Sequence, residues 1–266
     1  MSLMTDAHMS DLQQAIRSGH YARQQIHGRN RLIAWSHRQR FATALRLARE
    51  FAGTRVLDYG CGDGTFLGLL AGTDGRPAAS VGAEIHPHLV DDCRHRFRGQ
   101  PGLRFVQTAD LQGSDHDDSF DTVFCMEVLE HVVDSTPVLN DFERLLAPCG
   151  TLIVSVPIET GFPLIVKQIV RGVAGWRGVG DYPGTTGYTV PELVKSVLAG
   201  SAQHVHRPIF VRDDQTVFHD HKGFNWRTLR ARIAVQFDLV CEQTSPLSWL
   251  GPQLGTQRWF VARRKP

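Results

Sequence analysis

The stretch "RVLDYGCGDGTFLGLL" (residues 55–70) decides how the chain is read. A short β-rich apolar run, "RVLDYG", closes on glycine, and helix-like spacing resumes in "FLGLL". Between them Gly60, Gly62 and Gly64 alternate with Cys61 and Asp63, and Asp58 stands just ahead. Glycine at a strand-to-helix turn permits positive φ and lets a ligand approach the backbone, while the free N–H groups of the following helix favour an anion or nucleotide. Spacing separates the ligand classes. A P-loop requires Gly-Lys-Ser/Thr after the turn, but Thr65 and Phe66 follow Gly64 here. The dinucleotide pattern GxGxxG is missed by one residue, because the turn reads GxGxG.

Outward from this turn, strand-like and helix-like segments alternate. The strand candidates are "TRVLDYG", "AASVGAEI", "LRFVQTADL", "FDTVFCMEV" and "GTLIVSVP", all between residues 54 and 157. The rhythm predicts parallel βαβ units with right-handed crossovers and helices on both faces. The strands are nearly continuous apolar runs, as a sheet covered on both sides requires. Residues 10–52 read as helical, rich in Ala, Leu, Gln and Arg and free of proline, and Gly53 is a stop signal. After Pro157 the rhythm breaks; order returns in helical "NWRTLRARIA" and strand-like "QFDLVCEQT" and "RWFVARRK". The organisation expected is an N-terminal helical extension over 1–52 and one α/β domain over 53–266, with a cap inserted at about 161–223.

Asp58-Tyr59-Gly60-Cys61-Gly62-Asp63-Gly64 resembles the first motif of class I S-adenosylmethionine-dependent methyltransferases. The resemblance continues in order: Glu84 ends the second strand candidate, Asp110 follows the third in "TADL", "FDTVFCMEVLEHV" is similar to the fourth-strand segment of quinone-biosynthesis-like (methyltransferase type 11) members, and "LLAPCGTLIVSVP" to the fifth. Where the fifth segment usually has Gly-Gly, this chain has Cys149-Gly150. The resemblance covers roughly residues 50–160 and the last two strands. It implies a Rossmann-like fold with a mostly parallel seven-stranded sheet, and S-adenosylmethionine as the cofactor. It also implies binding residues Asp58, Gly60, Cys61, Gly62, Gly64, Glu84, Ile85, Asp110, Leu111, Met126 and Glu127, with Glu84 accepting the ribose hydroxyls and Asp110 near the adenine amino group.

The family's reaction moves an activated methyl to a nucleophile, so the protein supplies position and electrostatics. An acceptor hydroxyl must also lose a proton, and a phenol near pKa about 10 is within reach of a histidine base. His131 in "EVLEHV" is the first base candidate and His221 in "VFHDHKGFNW" the second. Glu127, Glu130 and His131, with histidines at 204, 206, 219 and 221, partly resemble the ion-binding set of small-RNA 2'-O-methyltransferases. In helical geometry Glu127 would share a face with Glu130 and His131. The same ExxEH also occurs in metal-independent relatives, so the cluster is read as satisfied polar groups and no metal ligand is assigned.

Within 161–223, "GFPLIVKQIVRGV" places Phe162, Ile165, Val166, Ile169, Val170 and Val173 on one helical face, suited to core packing, an apolar acceptor pocket or a lipid surface. Asp181, Tyr182 and Tyr188 lie on a glycine-rich loop able to close over a site. Trp35 and His37 are placed as a cover over the cofactor. The 266 residues are 42% hydrophobic, and the formal net charge of +2 offers no basic field for nucleic acid. Five widely spaced cysteines without a CxxC support neither a disulfide framework nor a zinc ribbon. No run of eighteen apolar residues and no signal-peptide h-region is present, so a cytoplasmic setting is expected. The function read from this is O-methylation of a small-molecule, glycan- or lipid-linked, or quinone-like acceptor. The other classes are a metal-assisted RNA 2'-O-methyltransferase and a non-catalytic S-adenosylmethionine- or NAD-binding protein. No oligomeric state is assigned.

Overall fold

The structure is a computed structural model and describes residues 6–28, 31–176, 187–201, 205–246, 248, 251 and 255–265. A seven-stranded sheet runs in the order β3-β2-β1-β4-β5-β9-β8. Its strands are β1 (Arg55–Tyr59), β2 (Ala79–Glu84), β3 (Leu103–Gln107), β4 (Phe120–Met126), β5 (Leu146–Pro157), β8 (Phe237–Ser245) and β9 (Gln257–Arg264). β1 pairs in parallel with β2 and β4, with Val56 opposite Ser80 and Thr122, and β2 pairs in parallel with β3. Strand order reverses direction from β1 to β4, where open α/β sheets bind ligands beyond the carboxyl ends of their strands. The parallel βαβ units that the strand–helix rhythm predicts are present, in the Rossmann-like architecture that the resemblance implies.

The chain divides into two compact units, one of Met1–Met126, Asp141–Ile153 and Arg263–Pro266, the other of Glu127–Asn140 and Val154–Ala262. In the first, helices α1 (Asp6–Ser18), α2 (Arg31–Phe51), α3 (Thr65–Ala71), α4 (Pro87–Arg96) and α5 (Ser135–Leu145, in part) accompany β1–β4. Val56, Leu57, Val123 and Phe124 are fully buried. Phe66 packs on Phe124 and Tyr59 edge-on to Phe142, with centroids 4.7 and 5.0 Å apart. Each such buried side chain contributes on the order of 1.5–3 kcal/mol. The helical reading of 10–52 is interrupted by a five-residue π-turn, Ala22–Ile26. There the Asp63 carboxylate accepts the Tyr21 and Ala22 N–H groups, drawing the chain toward the glycine turn.

The second unit holds α6 (Phe162–Trp176), α7 (Val190–Val197), a hairpin of β6 (Ile209–Val211) and β7 (Val217–His219), and α8 (Trp226–Gln236). α6 matches the helix read in "GFPLIVKQIVRGV". The hairpin was not foreseen; its three-residue strands are too short to show alternation. α7 starts on a capping box in which Thr189 and Glu192 satisfy each other's N–H groups. Residues 127–131 form a bend and a turn, with Glu127 at φ 58°. The shared helical face considered for Glu127, Glu130 and His131 therefore does not exist. Among the described residues, no helix is long and apolar enough to cross a membrane.

Candidate functional site

The glycine turn occupies the end of β1. Gly62 and Gly64 both sit at positive φ, 55° and 71°, where a side chain is strained. They differ in their surroundings. A Cβ on Gly64 would lie 2.9 Å from the Phe105 ring, so Gly64 is required by packing. A Cβ on Gly62 would meet nothing within 4 Å, so Gly62 borders open space. Behind it stands Glu84, whose Oε2 accepts the Gly62 N–H at 3.0 Å and whose Oε1 accepts the Ile85 and His86 N–H groups. One carboxylate thus ties the turn to the end of β2. Ile85, beside it, is 56% exposed and offers an apolar surface.

Asp58 is 2% exposed. Burial pushes its carboxyl up to about 8, the neighbouring Glu84 adds to the rise, and the Arg40 guanidinium opposes it. Its proton is thereby held more tightly in the fold than in the unfolded chain, so its ionisation costs stability as pH rises through that range. Arg40, itself buried, donates to the Tyr21 hydroxyl, which also bonds His37 Nδ1 at 2.5 Å. A hydrogen bond with Cys93 and burial push the Cys61 thiol well up, making it an unreactive small hydrophobe.

Asp110 is exposed, and its Oδ2 accepts the Gln107 N–H at 3.0 Å in a capping box over a 3₁₀ turn, Thr108–Leu111. Leu111 is fully buried in the core. Met126 is half-buried at the end of β4.

In the second unit a polar cluster forms from distant segments. His131 Nδ1 lies 2.9 Å from the His219 carbonyl. A carbonyl only accepts, so Nδ1 carries the hydrogen and Nε2 keeps its lone pair. Nε2 is 3.9 Å from an oxygen of Glu130, whose side chain is wholly buried. The His221 ring meets His131 edge-on at 4.9 Å. Burial lowers the pKa of both, with His221 brought to about 4. One ligand atom from each of Glu130, His131 and His221 falls within 4.8 Å of the others, a spacing able to hold a divalent ion. Glu127 stands outside that group and accepts the Ser155 hydroxyl at 3.0 Å. Glu159, 1% exposed, accepts from Lys167 Nζ at 2.9 Å and lies 4.0 Å from His221 Nδ1.

The structure thus gathers Asp58, Gly60, Cys61, Gly62, Gly64, Glu84 and Ile85 around one turn, and His131 with His221 in one cluster. Trp35 is half-buried. The Tyr188 hydroxyl accepts the Gly223 N–H at 2.8 Å. Asp181, Tyr182, His204 and the side chains of Val170 and Val173 lie outside the described residues. Sequence reading missed Arg40, Asp63, Glu159 and Lys167. Nothing in the local pattern distinguishes Arg40 from the other arginines of α2; its burial alone does.

Residues 50–177 match the family model described as a methyltransferase domain. A ubiquinone biosynthesis O-methyltransferase of Xanthomonas oryzae pv. oryzae is 39% identical over 140 residues, 48% of this chain and 57% of that protein. The chain therefore spans little more than half the length of that curated relative. A crystal structure of a Pyrococcus horikoshii protein shares the fold with a TM-score of 0.56 at 15% identity, over 87% of this chain and 92% of that one. Magnesium protoporphyrin IX methyltransferase from Synechocystis PCC 6803, solved with bound SAH, gives 0.52 at 17% identity over 96% and 94%. At these identities the likeness concerns the fold.

Proposed function

We propose that this chain, which belongs to the class I S-adenosylmethionine-dependent methyltransferase family, transfers a methyl group to an oxygen of a small-molecule acceptor. The observation that carries the reading is the open space at Gly62, backed by Glu84 and unavailable to any side chain without strain. The turn fits the cofactor. Glu84 is the acid for its ribose, Ile85 the apolar surface for its base, and buried Arg40 the cation for its carboxylate. When bound, S-adenosylmethionine supplies a sulfonium-activated methyl.

The remaining chemistry falls to the chain. His131 takes the acceptor's proton on Nε2, and the His219 carbonyl fixes the tautomer that makes this possible. Its lowered pKa keeps it unprotonated at neutral pH, which suits a phenolic acceptor of pKa about 10 better than an alcohol. A quinone-like or lipid-linked phenol accords with the exposed apolar residues Phe162, Val166 and Ile169 on α6. A second reading is favoured by the Glu130–His131–His221 spacing: a divalent ion held there would activate the acceptor oxygen instead.

Calorimetry and a chelation assay separate these readings. S-adenosylmethionine should bind and NAD should not; heat with NAD alone would sink the methyltransferase reading. Methyl transfer that survives EDTA supports His131 as base. Transfer lost to EDTA and restored by Mg²⁺ or Mn²⁺ supports the ion.

A further inference from the structure

Within the second unit, a cavity of about 150 Å³ lies between the turn at 129–135, the segment from Val205 to Arg207, and the start of α8. Its floor is apolar, formed by Leu129, Phe224 and Leu229, each under 5% exposed. Its charged lining is cationic. Arg207 and Arg232 both face it, and among the described residues that line it none is acidic.

The carboxylates that act on the two arginines, Glu130 and Asp220 on Arg207 and Asp134 on Arg232, stand outside the cavity's lining. Arg207 uses Nη2 on the carbonyls of Glu130 and Asp220, the latter at 3.0 Å. Its Nε is buried without a hydrogen-bond partner. Burial lowers its pKa to about 10, the mark of a cation stripped of water without full compensation. Arg232 donates Nη1 to the Ser135 hydroxyl at 2.9 Å, leaving that hydroxyl's own hydrogen available. The first turn of α8 also borders the cavity through Asn225, Thr228 and Leu229, so the positive end of an eleven-residue helix adds to the two guanidinium groups. One N–H of Asn225 and the Thr228 hydroxyl are already given to the Gly200 and Ser201 carbonyls, so the two guanidinium groups are the charged donors at the cavity, beside the Ser135 hydroxyl.

We propose that this cavity is an oxyanion-binding site, holding a phosphate-sized anion between Arg207 and Arg232. Guanidinium groups match phosphate and carboxylate oxygens with charge-assisted hydrogen bonds, here from half-buried Arg207 on the inner side and exposed Arg232 on the solvent side. The occupant is either an anionic group carried by the acceptor or free phosphate. The site goes beyond the methyl-transfer reading and stands without it.

The test is a titration of the full chain with inorganic phosphate at constant ionic strength, read by calorimetry. Saturable binding is expected. Arg232→Gln should weaken it about tenfold, the loss of one charge-assisted contact. Thr228→Glu places a carboxylate in the first turn of α8, where the helix dipole favours an acid, so the fold is kept while phosphate affinity falls at least about tenfold. Arg230→Gln, on the same helix but paired with Glu242 away from the cavity, should leave affinity unchanged. No saturable heat, or equal affinity in the wild type, Arg232→Gln and Thr228→Glu, overturns the proposal. The source is decided by competition. Phosphate that slows methyl transfer to a carboxylate-bearing catechol but not to catechol itself assigns the site to the acceptor; bound phosphate that alters neither assigns it to the free anion.

Discussion

The glycine turn and the histidine cluster are built on opposite plans. The turn is made by backbone within about thirty residues of chain: three glycine positions, and one carboxylate that collects the N–H groups of Gly62, Ile85 and His86. The cluster is made by side chains from residues 130–131, 159, 167 and 221, and by the carbonyl of His219. Burial shifts the key titratable group of each in the direction that removes charge. Asp58 is pushed toward the neutral acid and His221 toward the neutral base. A backbone-built site is specified by where glycines must stand. A side-chain-built site is specified only once distant segments have packed.

The largest effect should come from dividing the two by function. His131→Ala is expected to lower kcat by about 10²–10⁴, the range for loss of a positioned base. S-adenosylmethionine affinity, measured by calorimetry, should stay at the wild-type value. If affinity fell in step with kcat, His131 would belong to the support of the cofactor, and the division of labour between the two regions would be wrong.

The next effect lies inside the turn. Gly64→Ala carries the strain of a positive φ, about 1–2 kcal/mol, and the overlap with Phe105, about 1–3 kcal/mol, for a total near 3 kcal/mol of lost stability. Gly62→Ala carries the strain alone, about 1 kcal/mol, because its Cβ enters open space. Denaturant unfolding should separate the two. Gly62→Ala should nevertheless lose cofactor binding, since the added methyl occupies the cradle. Equal stability losses would show that packing around Phe105 yields freely.

This contrast explains what could be read from the chain. The alternation of apolar runs with helical spacing over 54–157 is local, and it announces the parallel βαβ units but not the order of the strands in the sheet. Gly60, Gly62, Gly64 and Glu84 are legible because each answers a local demand: a turn, or an acid at a strand end. Arg40 was not legible, because an arginine on an arginine-rich helix shows its role only when buried beside Asp58. The hairpin at 209–219 and the Glu159–Lys167 pair were invisible for the same reason, since long-range packing decides them. The non-helical turn at 127–131 went against local spacing; Glu127 takes a left-handed φ while its N–H bonds the Ser155 carbonyl and its carboxylate takes the Ser155 hydroxyl.

The smallest effect tests whether the cluster is held neutral. His221 titrates near 4 in the fold against an ordinary value near 6.5, chiefly through burial, with the Glu159 carboxylate opposing the shift and His131 and Lys167 adding to it. A histidine with a depressed folded pKa binds its proton more readily when unfolded. Its neutral form therefore favours the fold above pH about 6.5, and this advantage is lost as pH falls from there toward 4. The full shift corresponds to about 3 kcal/mol at 1.36 kcal/mol per unit. Because the side chain is 30% exposed, solvent screening reduces the expected loss to on the order of 1–2 kcal/mol. His221→Phe keeps a ring against His131 and cannot titrate. Thermal unfolding of the two proteins between pH 4 and 8 should show a shallower acid limb in the variant. Parallel limbs would mean that His221 is solvated enough to charge within the fold, and that the low dielectric inferred for the cluster does not extend to it.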